Sequence, residues 1–215
     1  MKISKGSKLV MIGDSVTDCE RARPVGEGLF GALGKGHVSM VDALLGACCP
    51  EQKIRVVNMG CGGDNARGLK ARWQQDVMAL KPDWVSIMIG ANDVWRQHDV
   101  PLQPEQHVYI DEYEIALEEV ISSSKKQLKG LVLMTPFFIE PSTTDSMRAM
   151  MDRYGQVIKK LAARHEAVLV DTQAAFNEAL THYYSATLSW DRVHPNQIGH
   201  MILARAFLKA LGFSW

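Results

Sequence analysis

No excess of charge of either sign marks this chain: Lys and Arg together number 24, as do Asp and Glu, so the formal net charge is zero. A nucleic-acid binder carries a basic surface that neutralises phosphates, and a surface-anchored membrane protein carries a polybasic patch; neither is expected here. Long apolar runs are also missing. The apolar stretch near the start, Leu9 to Ile12, is too short for a signal-peptide core or a membrane span, and no later run reaches spanning length. A cytoplasmic location with no membrane partner is therefore expected. Cysteine is scarce, with only Cys19, Cys48, Cys49 and Cys61. The adjacent pair is awkward for a disulfide and no CxxC suggests zinc, so free thiols are expected. There is no internal repeat, linker or low-complexity segment, and one domain over residues 1–215 is the reading.

What the chain does have is alternation. Short apolar runs at 8–13 (KLVMIG), 54–60 (IRVVNMG), 84–90 (WVSIMIG), 131–136 (LVLMTP) and 167–171 (AVLVD) read as strands. Their near-continuous hydrophobicity suits strands covered on both faces. Helical spacing runs over 38–48, 64–80, 111–127, 146–165 and 196–211, with Pro82 ending the second. Strands alternating with helices predict a doubly wound parallel sheet. The Gly-rich stretch 21–35 contains Gly26-Glu27-Gly28-Leu29-Phe30-Gly31, a formal GxGxxG. It joins no strand directly to a helix, so a loop is expected rather than a dinucleotide site.

Chemistry-bearing residues gather at the predicted strand ends, where open α/β sheets bind ligands. The first strand runs into Gly13-Asp14-Ser15, the second into Asn58-Met59-Gly60-Cys61-Gly62-Gly63-Asp64, and the third into Gly90-Ala91-Asn92-Asp93. Asp191-Arg192-Val193-His194-Pro195 immediately precedes the last helix. Serine is a poor nucleophile at neutral pH and needs a base. Glycines after a strand let backbone N–H groups approach a ligand closely. Each feature has a plainer reading: Ser15 as a helix cap, Asn92 as a turn former, Asp14 and Asp93 as acceptors that hold loops. The remaining histidines lack metal-ligand spacing and are expected at the surface or satisfied; Cys61 is expected to be a packed thiol.

Taken together, these four segments resemble the motif blocks of the SGNH (GDSL) hydrolases, in order from Gly13 to His194. The resemblance implies a flavodoxin-like three-layer α/β/α sandwich with a five-stranded parallel sheet of order 2-1-3-4-5. It implies Ser15 as nucleophile, His194 as general base and Asp191 as its orienter, with no metal or other cofactor. The oxyanion hole would comprise the Ser15 N–H, the Asn92 side chain and a glycine N–H. The family pattern puts that glycine five residues after Asn58, at Gly63, and leaves Gly60 to supply turn flexibility.

The stretches GDSVTDCERARP, KPDWVSIMIGANDVWRQ, MTPFFIEP and WDRVHP look like a narrower group, the small intracellular acetyl xylan esterases. That similarity implies deacetylation of xylo-oligosaccharides, with a small acetylated oligosaccharide as substrate. A lysophospholipase or thioesterase on the same fold is the alternative, and a non-catalytic binding module a third reading. Trp190, beside Asp191, is a candidate wall of the acyl pocket. Trp95, Tyr184 and Arg55 are candidates for sugar or subunit contacts. A homo-oligomer is expected, with the aromatic end Gly212-Phe213-Ser214-Trp215 as a candidate contact.

Overall fold

Apolar runs without alternation need cover on both sides, and the sheet supplies it. In the computed structural model, which describes residues 1–214, five strands are parallel in the order β2-β1-β3-β4-β5. They are β1 (Lys8–Gly13), β2 (Arg55–Asn58), β3 (Trp84–Met88), β4 (Gly130–Met134) and β5 (Val168–Val170). Val10 pairs with Val57 on one side and Val85 on the other, so β1 lies between β2 and β3.

The helices, in chain order, are α1 (Ser15–Asp18), α2 (His37–Cys48), α3 (Ala66–Asp76), α4 (Ala91–Asp99) and α5 (Ile110–Ser124). They continue with α6 (Ser146–His165), α7 (Thr172–Ala179), α8 (Ser185–Leu188) and α9 (Gln197–Ala210). Side chains of a strand alternate between faces, and β1 divides accordingly. Val10 and Ile12 pack with Leu69 of α3, Leu117 of α5 and Ile158 of α6. Leu9 and Met11 pack with Val41 of α2 and Phe207 of α9. The result is the three-layer α/β/α sandwich expected. Burying each such side chain contributes roughly 1.5–3 kcal/mol, so the strand leading to Ser15 is anchored from both faces.

The element boundaries differ from the sequence reading where the chain turns toward the site. β2 stops at Asn58 and β3 at Met88, each two residues before the predicted end. The residues beyond β2 still donate to β1, Met59 N–H to the Met11 carbonyl and Cys61 N–H to the Gly13 carbonyl, as the chain turns toward α3. α3 begins at Ala66 rather than 64, because Asn65 caps it by accepting from the Gly68 N–H at 3.0 Å. A short 3₁₀ turn at Met78–Leu80 replaces its predicted last turn. α1, α4, α7 and α8 have no counterpart in the predicted pattern. Segment 21–35 has no helix or strand, as expected.

No helix among the described residues is long and apolar enough to cross a membrane. All four cysteines are free. Phe213 is buried against its own core, while Trp215 lies outside the described residues.

Candidate active site

The strand order reverses direction of travel at β1, whose neighbours are β2 and β3; their C-terminal ends therefore lie side by side. This is the place where α/β sheets of this type bind ligands. Asp14 leaves β1 in an extended conformation and caps α1, accepting the Val16 N–H at 3.0 Å. Ser15 is thus the first residue of a helix. Its own N–H lies among those an α-helix leaves without an internal partner.

The Ser15 hydroxyl lies 2.8 Å from Nε2 of His194. On the other side of the ring, Nδ1 lies 2.6 Å from Oδ2 of Asp191. A carboxylate there keeps the ring proton on Nδ1 and leaves Nε2 as an acceptor facing the hydroxyl. Partial burial pushes the Asp191 carboxyl up, but hydrogen bonds from the His194 ring and from the His194 and Val193 N–H groups outweigh it. The carboxyl is held down at about 2. Its Oδ1 accepts the His194 N–H at 2.7 Å, the Val193 N–H at 2.9 Å and the Ser189 hydroxyl at 3.0 Å.

Asp191 and His194 are only three residues apart, and a tight turn is needed to bring their side chains together. Arg192 provides it, with φ of 65° in the left-handed region. Its guanidinium donates to Glu140 at 2.8 Å and lies 4.9 Å from the Phe138 ring centroid, while its carbonyl accepts the Ile139 N–H at 2.8 Å. These contacts hold a backbone conformation that a non-glycine residue rarely adopts. The sequence alone had no signal for this residue, because its anchors lie some 50 positions upstream.

The second strand block separates its glycines clearly. The Gly60 N–H is taken by Asn58 Oδ1 at 2.9 Å, the Cys61 N–H by the Gly13 carbonyl at 2.9 Å and the Gly62 N–H by Asp18 Oδ2 at 2.9 Å. The Asp64 N–H donates to the Cys61 carbonyl at 3.1 Å. Gly63, at φ of 79°, is the member of this run whose N–H has no partner among the described residues, and a Cβ there would meet open space. Gly60 departs from the expected turn role. Its φ is not positive, and a Cβ would fall on the backbone of Asp18, so glycine is needed for close approach of the two segments.

Asn92 and Asp93 lie on the first turn of α4, not in a loop. Asn92 donates one amide hydrogen to the Asp64 carbonyl at 2.8 Å, which fixes the amide and leaves a second hydrogen free to face the site. Asp93 is buried and accepts the Ala66 N–H at 3.0 Å, tying α4 to the start of α3. Asp14 and Asp93 therefore accept backbone N–H bonds, as the sequence suggested.

Burial pushes the Asp93 carboxyl up to about 8 and Asp14 up to about 7. Unfolded, Asp93 would lose its proton near 3.8, whereas the folded protein retains it until about 8. The folded state binds the extra proton across that window, so stability falls as pH rises through it. Asp93→Asn, neutral at every pH, is expected to reduce that fall. At about 2–4 °C per kcal/mol for a chain of this size, melting curves at pH 5 and pH 9 read the difference. A variant whose pH profile parallels the parent would contradict it.

Trp95 packs its ring 5.7 Å from that of His194. Trp190 and Tyr184 are 91% and 79% exposed, so their rings project into solvent. Arg55 pairs with Glu27 on the surface. The histidines depart from expectation at His37, which is buried with neither ring nitrogen hydrogen-bonded. Burial, then the neighbouring His200, pushes it down to about 3 and keeps it neutral. His200 accepts the His37 N–H at 3.2 Å and meets the Cys19 sulfur at 3.2 Å.

A match to the GDSL-like lipase/acylhydrolase family covers residues 11–202, and the chain belongs to that family. It is 60% identical to an acetylxylan esterase of Geobacillus stearothermophilus over 215 residues, all of this chain and 98% of the relative. The crystal structure of that esterase, Axe2, matches with a TM-score of 0.99 over the same shares of the two chains. Solved variants of it carrying S15A, D191A and H194A are described as catalytic mutants. A more distant match is LAE5, an alpha/beta hydrolase enzyme from the metagenome of Lake Arreo. It is 51% identical, with a TM-score of 0.97, covering 99% of this chain and 98% of that one.

Proposed function

We propose that this protein is a serine esterase that removes acetyl groups from xylo-oligosaccharides or related acetylated sugars. The observation that carries the reading is the relay from Asp191 through His194 to Ser15, with separations of 2.6 and 2.8 Å. The similarity to an acetylxylan esterase supports the substrate.

In this mechanism His194 takes the Ser15 proton as Oγ attacks the acetyl carbonyl, and Asp191 stabilises the imidazolium that forms. Negative charge on the carbonyl oxygen meets the N–H groups of Ser15 and Gly63 and the free amide hydrogen of Asn92. Each such donor is worth about 10²–10³ in kcat. His194 then gives its proton to the departing sugar oxygen, and water repeats the cycle on the acyl-enzyme to release acetate. Every step uses side chains and backbone N–H groups of this chain together with water, and calls on no cofactor. We assign the whole chain, 1–215, to one catalytic domain.

The test is a series of esters of increasing acyl length, run beside acetylated xylo-oligosaccharides with Ser15→Ala as control. Fast cleavage of the acetyl sugars is the expected result. Rapid hydrolysis of long acyl chains with inertness toward acetyl sugars would favour the lysophospholipase or thioesterase reading instead. Trp190 is the proposed wall of the acyl pocket, so Trp190→Ala is expected to raise turnover of butyryl and longer esters relative to acetyl. An unchanged chain-length profile would remove Trp190 from the pocket. We place Trp95, against His194, and Tyr184 at the substrate side of the site.

The protein is proposed to work in the cytoplasm on short oligosaccharides and to associate with copies of itself. The exposed side chains of Leu29, Phe30, Leu102, Tyr184 and Trp190 support association, since they offer apolar surface for it to cover. Sedimentation equilibrium reads the subunit count, and a monomer at micromolar concentration would refute this part.

A further inference from the structure

Behind the Gly63 and Asn92 side of the site lies a guanidinium that the proposed chemistry does not use. Arg72, in α3, has a side chain only 16% exposed, and its donors spread over separate segments of the chain. Nε donates to Asp64 Oδ2 at 2.6 Å, and Nη1 donates to the Met59 carbonyl at 2.7 Å and to Asp76 Oδ2 at 3.0 Å. Nη2 donates to the Gly13 carbonyl at 3.0 Å.

Apart from Asp76, at the end of α3 itself, each of these acceptors lies on a segment that carries a group of the oxyanion site. Gly13 closes β1 and precedes Asp14 and Ser15. Met59 is the first residue beyond β2, at the start of the turn that carries Gly63. Asp64 follows Gly63, and its carbonyl accepts the Asn92 amide. We infer that Arg72 is a positioning residue for the oxyanion hole: one planar side chain sets the separation of the segments bearing the Ser15 N–H, the Gly63 N–H and the Asn92 amide. The inference rests on the esterase reading above.

The chemistry of the side chain suits this task. A guanidinium holds five donors in a rigid planar fork and can bind acceptors that lie in different directions. An ammonium on a flexible stem cannot keep the same three segments in one geometry. Asp64 and Asp76 balance the charge locally, so Arg72 acts by fixing distances rather than by lending its field to the reaction. From the other side, Asp93 holds the Ala66 N–H, so the loop between β2 and α3 is fixed at both its ends. Oxyanion donors need this, because a misplacement near 1 Å can cost about 10² in rate.

The experiment compares the parent protein, Ser15→Ala, Arg72→Ala and Arg72→Lys on an aryl acetate. Competent sites are counted by titration with a reactive phosphonate, and folding is checked by circular dichroism. Arg72→Ala is expected to lose about 10² in kcat per titrated site, with KM changed by less than about threefold. Inhibition by a small alkylboronic acid, which forms a tetrahedral adduct, weakens in the same proportion. Guanidinium chloride at tens of millimolar restores about tenfold of the kcat lost in Arg72→Ala, by refilling the site, and restores nothing in Arg72→Lys.

A folded Arg72→Ala with the parent kcat overturns the inference. So does a loss confined to KM, or one that vanishes per titrated site. Should Arg72→Ala not fold, Arg72→Lys decides: a folded lysine variant with parent kcat overturns the inference, and one with lowered kcat at unchanged KM supports it. A parent protein no faster than Ser15→Ala would instead sink the esterase reading and take this inference with it.

Discussion

Ser15→Ala is expected to lower ester turnover by on the order of 10⁶ while leaving the fold intact, as removal of a serine nucleophile does elsewhere. The hydroxyl makes a single hydrogen bond, to His194, so its loss orphans no buried group. The N–H of residue 15 stays in place, and the proposed oxyanion donors with it. Residual activity above the uncatalysed rate is then what binding and the oxyanion hole supply. The measurement is kcat on an acetyl ester beside a thermal melt of the same sample. A variant that melts with the parent and still turns over at a comparable rate would exclude Ser15 as the nucleophile.

Asp191→Asn is the second large effect, on the order of 10⁴ in kcat. The reasoning is geometric. Oδ1 of Asp191 accepts from two backbone N–H groups, those of Val193 and His194, which can only donate. An asparagine must therefore keep its oxygen at that position and turn its NH₂ toward Nδ1 of His194. A donor there forces Nδ1 to give up its proton and puts it on Nε2, where it faces the Ser15 hydroxyl. The imidazole is then the wrong tautomer to accept the serine proton. Nitrogen NMR of the imidazole reads the tautomer directly, and kcat reads the consequence. Unchanged turnover with the ring proton still on Nδ1 would refute the assignment of Asp191 as orienter.

Much of the architecture was legible because strands covered on both faces leave a plain trace. Leu9, Val10, Met11 and Ile12 are all apolar, yet alternate residues serve opposite cores. The long helix over 146–165 matched its predicted bounds, since its buried positions recur at helical spacing over 20 residues. α4 escaped because its first turn holds the buried polar residues Asn92 and Asp93, and apolar spacing is the signal such reading depends on. α7 escaped for a similar reason, its buried positions including Thr172 and Gln173 as well as Phe176.

The candidate site was legible wherever its residues are chemically distinctive. Ser15 and Asn92 stand at the starts of helices, Asp191 and His194 in the loop before the last helix, and all four carry side chains of distinctive chemistry. Gly63 is expected by counting from Asn58, and the N–H groups of Gly60, Cys61 and Gly62 around it are engaged within the fold. Residues that act through distant anchors were not legible. Arg72 reaches back 59 positions to Gly13, Arg192 reaches back 52 to Glu140, and Gly60 is required by the backbone of Asp18. Burial of His37 was hidden as well, since a polar residue on the first turn of a helix reads as solvent-facing.

The base and its orienter share one short loop, and the left-handed Arg192 holds that loop against Phe138, Ile139 and Glu140. Their competence therefore depends on how that loop is seated, through the partly exposed Arg192 and through Phe138, Ile139 and Val193, which are buried. Segments of this kind can open at a fraction of the free energy needed to unfold the core. Activity and global integrity are accordingly separate quantities in this protein. Heat or mild denaturant should disable the loop first and leave an assembled sheet bearing an idle serine, which recovers when Arg192 finds its anchors again.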